Sequence, residues 1–241
     1  MSNAVPSTLN ARQVKEAAFS PGADLCGISS TERFAGAPEG FRPTDIFPKC
    51  RSVIVFARRI PAGIIFAASL VPYTQVKDLS VKELDGIGMR LSLFLEERGV
   101  LAVPVPSDDP YEYWEPDRLY GRGILSMRHA GYLAGLGILG KNTLLLNEDY
   151  GNMIHIGAVL ASAELEQDPL STLKNCPDKC TICIEACPQK ALDGITVEQK
   201  LCRPTSFYTN KKGYGLFSCN LCRRSCPRAL GKKRKQLQKQ I

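Results

Sequence analysis

The sequence of 241 residues predicts an α/β (α+β) protein in two parts, a larger domain over residues 1–169 and a small cysteine-rich domain over 170–241. Three observations predict it. Apolar residues at helical spacing (Leu84, Ile87, Leu91, Phe94, Leu95) run into Gly99 and then a Val-rich stretch, the helix-to-strand alternation of an α/β layer. Residues 52–57 are a short, continuous β-branched and aromatic run, as a strand buried on both faces requires. Eight of the ten cysteines crowd into residues 176–226.

Taken in order, Asn10 is placed to cap a helix over 12–19, and a Ser20-Pro21-Gly22 turn ends it before a strand at 24–29. Cys26 on that strand and Cys50, close to Pro48, read as structural thiols. Arg58 and Arg59 follow the 52–57 strand, either lining a site at a strand end or standing as two exposed cations. The apolar stretch 60–72 falls short of the ~20 residues of a membrane span and is broken by Gly63, so it reads as a core element.

Ser80-x-x-Glu83 has the form of a capping box and sets the expected start of the long helix. A strand at 100–105 follows, then a polar and aromatic loop over 107–123 containing Tyr111, Tyr113, Trp114 and Tyr120. Long loops in compact domains are more often functional than idle. A helix over 126–133, the glycines Gly135, Gly137 and Gly140, and strands at 143–146 and 154–161 complete the larger part, about five strands and three or four helices in all. The glycines match G-x-G-x-x-G, but a helix precedes them and a strand follows, the reverse of the dinucleotide fingerprint. Their missing side chains let either a large planar ligand or a packed layer approach the backbone.

The cysteines form C-x3-C-x2-C-x3-C-P from Cys176 to Pro188, then Cys202, then C-x2-C-x3-C-P from Cys219 to Pro227. In two-cluster iron–sulfur proteins the cysteine before proline ligates the neighbouring cluster. The pattern therefore assigns Cys176, Cys180, Cys183 and Cys226 to one 4Fe–4S cluster, and Cys187, Cys202, Cys219 and Cys222 to a second. Zinc is the alternative for paired C-x2-C runs, although it does not call for a third cysteine before proline. The first gap, Cys176 to Cys180, is one residue longer than the bacterial ferredoxin spacing. No apolar h-region lies within residues 1–12, so a reducing cytoplasm is expected and disulfides are not.

The formal charge of +7 belongs to one end: eight basic residues and no acidic one lie from Arg223 onward, leaving 23 positive and 24 negative charges elsewhere, net −1. Such a tail reads first as a solvated end, dispensable for folding, and second as a handle for nucleic acid or an acidic redox partner.

Ala134-Gly-Leu-Gly-Ile-Leu-Gly-Lys-Asn-Thr-Leu-Leu-Leu146, Glu148-Asp-Tyr-Gly151, a strand containing Gly157 and the doubled cysteine pattern together resemble the epoxyqueuosine reductases and, more distantly, the reductive dehalogenases. Arg51-Ser-Val-Ile-Val-Phe and Val103-Pro-Val-Pro-Ser107 extend the likeness. The resemblance implies a nitroreductase-like N-terminal domain that binds cobalamin, joined to a ferredoxin-like domain whose two 4Fe–4S clusters feed electrons to cobalt. It places Arg122, His129, Gly135, Gly137, Gly140, Lys141 and Asn142 around the cofactor, with Tyr120 as candidate proton donor. FMN is the alternative cofactor. A ferredoxin- or flavodoxin-type electron donor and a small-molecule or protein substrate are the expected partners, with no membrane. In epoxyqueuosine reductases a catalytic Asp lies shortly before the glycine motif, and helical repeats beyond the clusters help hold tRNA. Here residues 120–129 contain no acidic side chain and the chain stops soon after Cys226, so a short relative not acting on tRNA is expected. The other class of function is an electron carrier or reductive activator of a partner protein.

Overall fold

The computed structural model describes residues 9–238. Helix α1 (Ala11–Phe19) starts at Asn10, whose side chain accepts from Gln13 N while Gln13 reaches back to Asn10 N, a full capping box. Strand β1 (Leu25–Ser30), the short α2 (Pro43–Ile46), strand β2 (Ser52–Arg59) and the 26-residue α3 (Val71–Glu96) follow. After β3 (Ala102–Val105) come the hairpin β4 (Tyr113–Glu115) and β5 (Tyr120–Arg122), then α4 (Met127–Leu133), the small hairpin β6 (Ile138–Leu139) and β7 (Leu145–Leu146), and β8 (Ile154–Ala161). The 107–123 segment, expected as loop alone, thus contains a hairpin, and β6–β7 pair only with each other, outside the main sheet.

The main sheet has the order β1-β2-β8-β3 and is antiparallel at every pairing. β2 and β8 lie inside it and are buried on both faces, which is why residues 52–57 carry no polar alternation. Period 2 divides β2 between two cores. Val53, Val55 and Ala57 pack with Ala130 and Ala134 around α4, while Ile54 and Phe56 pack with Val14 and Ala18 of α1 and Leu84, Ile87, Leu91 and Leu95 of α3. A third core joins Ile60, Ala62, Ile64, Ile65 and Tyr73 to Met153, Ala229 and Leu230, which confirms 60–72 as core-forming and ties it to the C-terminal region.

α3 begins nine residues before the expected capping box, with Pro72 in its first turn. Ser80 is interior to the helix, and its Oγ donates back to Val76 O at 2.7 Å. Arg58 and Arg59 line no site: both pair with Asp24, at 3.1 Å each, and Arg58 also meets Glu83 at 2.9 Å. Among the described residues, no helix is long and apolar enough to cross a membrane.

The cysteine-rich region adds α5 (Ile182–Glu185), α6 (Gln199–Ser206), the hairpin β9 (Phe207–Thr209) and β10 (Gly215–Phe217), and α7 (Leu221–Arg224). The tail, expected as a solvated end, is bonded to the body over residues 232–234. Lys232 and Lys233 pair with Glu148 and Asp149, their amides bond Glu148 O and Asp149 O, and Arg234 donates to Ile60 O at 2.6 Å. The part of the tail beyond Gln238 lies outside the described residues.

Candidate iron–sulfur site

Both cysteine loops fold alike: a short turn of helix, α5 or α7, carries the second cysteine of C-x2-C, Cys183 or Cys222, with the other two cysteines on either side of it. The thiols fall into two groups. Burial raises the pKa of Cys183 and of Cys226, and Cys176 and Cys180 raise both further by their nearby negative charge. Burial likewise raises Cys202 and pushes Cys222 up to about 11, and Cys187 and Cys219 add to both. The first loop therefore meets Cys226 of the second, and the second meets Cys187 of the first and Cys202 of α6. Cys187 Sγ also accepts from Ala191 N at 3.3 Å.

These groups suit a cluster by the chemistry of their donors. Each group brings thiols of both loops close enough to raise one another's pKa, while among the described residues no three His, Cys, Asp or Glu side chains stand close enough together to hold a metal ion. Between Cys219 and Cys222, Asn220 is buried and its Nδ2 has no partner among the described residues. A donor without an acceptor beside thiols fits a sulfur-rich group, whose sulfurs take N–H bonds.

Several side chains expected at a cofactor instead hold these loops. Lys141 Nζ donates to Pro177 O and Asp178 O at 3.1 and 2.7 Å, ahead of Cys180. Asn142 Nδ2 donates to Cys222 O at 3.0 Å, and its Oδ1 accepts from Leu144 N. The glycine turn is filled by the protein itself. A Cβ on Gly135 would strike Pro169 O, one on Gly137 would strike Leu146 O across β6–β7, and one on Gly140 would crowd Asn142 and Leu146. Gly135 also has φ +78°, which disfavours a side chain. These three glycines serve layer packing, one of the two roles that their missing side chains allow.

The other three candidates stand away from the cysteines. Arg122 lies over the rings of Phe41, Tyr113 and Tyr120, 5.0–5.3 Å from their centroids, and its Nε donates to Tyr120 Oη at 3.1 Å. His129 is exposed, with Nδ1 2.7 Å from Ser126 Oγ; desolvation, then Arg128, lowers its pKa.

Sequence reasoning missed Gln199, Arg203 and Arg223. Gln199 grips the backbone of Gly121 in β5 from both sides, Gly121 N to Oε1 and Nε2 to Gly121 O, each 3.0 Å. Arg203, next to Cys202, donates to the same Oε1 and lies over the stacked Trp114 and Tyr111 rings at 5.0 and 5.5 Å. Arg223 is only 7% exposed; its guanidinium donates to Asn152 O, while Asn152 Nδ2 returns to Arg223 O at 3.2 Å. Arg223 has a local signal, since it directly follows Cys222. The Gln199 latch has none.

The fold is mixed α/β, and the cysteine loops carry the spacing of iron–sulfur ligands. The chain is a relative of the epoxyqueuosine reductases and, by fold, of the reductive dehalogenases. It is 36% identical to an epoxyqueuosine reductase of Staphylococcus aureus over 122 residues, 45% of this chain and 31% of that protein. An epoxyqueuosine reductase solved with an epoxyqueuosine-modified tRNA stem loop superposes with a TM-score of 0.61 at 19% identity, covering 90% of this chain and 64% of that one. A reductive dehalogenase whose structure suggests a mechanism for B12-dependent dehalogenation gives 0.65 at 17%, covering 94% and 33%. The chain therefore matches about a third of the curated relative's length. No family model matches it.

Proposed function

We propose that this protein is an iron–sulfur oxidoreductase that holds two 4Fe–4S clusters, one on Cys176, Cys180, Cys183 and Cys226 and one on Cys187, Cys202, Cys219 and Cys222, and passes single electrons to an acceptor on the larger domain. The observation that carries the reading is the exchange of sulfurs between loops, each group completed by the cysteine before proline of the other. Zinc is disfavoured because its sites pair two C-x2-C runs and do not call for a third cysteine before proline.

In this reading residues 1–169 form a nitroreductase-like domain and 170–241 a ferredoxin-like one. The relation to B12-dependent reductive dehalogenases supports a cobalamin-type acceptor, which supplies one-electron cobalt chemistry when bound. The glycine turn does not fit as its seat, so no step is derived through it; Tyr120, Arg122 and His129 are the residues we assign to the acceptor side. A ferredoxin- or flavodoxin-type donor in the cytoplasm supplies the electrons. Action on tRNA is left out of the proposal, because residues 120–129 carry no carboxylate to serve as acid.

The filled glycine turn favours a second reading, an electron carrier or reductive activator of a partner protein. Anaerobically loaded protein should contain about eight iron and eight acid-labile sulfides per chain, and saturation at half that value refutes the two-cluster assignment. Changes in the absorption spectrum on adding cobalamin, or FMN, separate the readings. Binding of one at stoichiometric concentration supports an internal acceptor, and binding of neither leaves the carrier.

A further inference from the structure

The two cysteine loops are copies that differ where it matters electrically. Aligned on their cysteines, Cys180-Thr-Ile-Cys183-Ile-Glu-Ala-Cys187 stands against Cys219-Asn-Leu-Cys222-Arg-Arg-Ser-Cys226. Thr181 faces Asn220, Ile184 faces Arg223 and Glu185 faces Arg224. In the first loop the Thr181 hydroxyl is already spent, donating to the Glu185 carboxylate, and Ile184 has no charge to offer. In the second, Asn220 is 5% exposed with a donor that no atom of the described residues takes up, and Arg223 is a guanidinium at 7% exposure that donates to Asn152 O.

Reduction adds one negative charge to a 4Fe–4S cluster. A buried cation and a free N–H donor on its loop stabilise the reduced form more than the oxidised one, and burial keeps salt from screening that effect. Resting on the two-cluster reading above, we infer that the clusters are unequal by construction: the one on Cys187, Cys202, Cys219 and Cys222 has the higher potential and is where an arriving electron settles, through Arg223 and Asn220. Arg223 is a positioning residue for charge.

The test uses the full chain loaded anaerobically, its iron and sulfide counted first, then titrated with dithionite through redox mediators and followed by electron paramagnetic resonance. The wild type is expected to accept electrons in two separate one-electron steps. Arg223→Gln should move the upper step to lower potential and leave the lower step in place, and Asn220→Leu should move the same step by less. Arg223→Lys, which keeps the charge, should stay nearer the wild type than Arg223→Gln, and exposed Arg224→Gln should change little, the more so at high salt. Both steps staying put in Arg223→Gln would overturn the inference, as would a shift of the lower step, or Arg223→Lys falling as far as Arg223→Gln. If Arg223→Gln does not assemble both clusters, Asn220→Leu and Arg223→Lys decide by the same criteria. A wild-type iron count of one cluster sinks the functional reading, and this inference with it, before any potential is measured.

Discussion

His155 shows how the central sheet handles a titratable ring. It stands in β8 with Nδ1 2.5 Å from Ser80 Oγ, and burial, followed by Arg223 and Lys77, pushes its pKa down to about 3. The folded ring therefore stays neutral where an unfolded one would take a proton. Between the unfolded value near 6.5 and about 3 the unfolded chain binds more protons, so stability falls as pH drops through that window and levels off below it. With only two histidines in the chain, the check is clean. Imidazole NMR signals of the oxidised protein should show His129 titrating somewhat below its usual range and His155 not titrating at all from pH 8 to 5. Two titrating rings would mean His155 reaches solvent. Neither its burial nor the Ser80 contact was legible beforehand, because Ser80 read as a helix cap, whereas its hydroxyl faces a strand 75 residues away.

At the scale of elements, the reading succeeded where packing is local and failed where the partner is remote. α1 has its cap and partner within the sequence signal, and β2 announces burial on both faces. The first turns of α3 do not. Tyr73 meets the Phe217 ring edge-on at 5.5 Å and Thr74 Oγ1 accepts from Phe217 N at 3.0 Å, so this stretch buries aromatic and polar residues against β10 and breaks the aliphatic period. The cysteine runs stood out in the sequence because their spacing is itself a pattern, whereas Gln199, which joins α6 to the β4–β5 hairpin, sits in no pattern. Gln199→Ala removes both bonds to Gly121 and the anchor of Arg203, a local loss of about 1–2 kcal/mol. Trp114, the only tryptophan, reports on it. Its emission should shift to the red and become easier to quench with acrylamide while iron content holds. Unchanged emission and quenching would show that the hairpin does not depend on the latch.

Across the whole molecule, the larger part and the cysteine-rich part share one seam. Asn142 and Asn152 bond Cys222 and Arg223, Lys141 reaches Pro177 O and Asp178 O, and residues 229–234 bond back to the 147–153 turn and Ile60. Removing residues 235–241 should leave the melting temperature in place, whereas removing 232–241 should cost about 2 kcal/mol, or roughly 4–8 °C. Equal melting of the two truncations would show that Lys232 to Arg234 contribute nothing. The seam has its tightest point at Gly151, φ +61°, where a Cβ would collide with the carbonyls of Arg228 and Ala229. Those two residues follow Cys226. A ribosome makes the slot well before the carbonyls that fill it, so a nascent chain carries both cysteine loops ahead of the segment that closes over Gly151. Iron delivered during synthesis would meet the loops while this last stitch is still open.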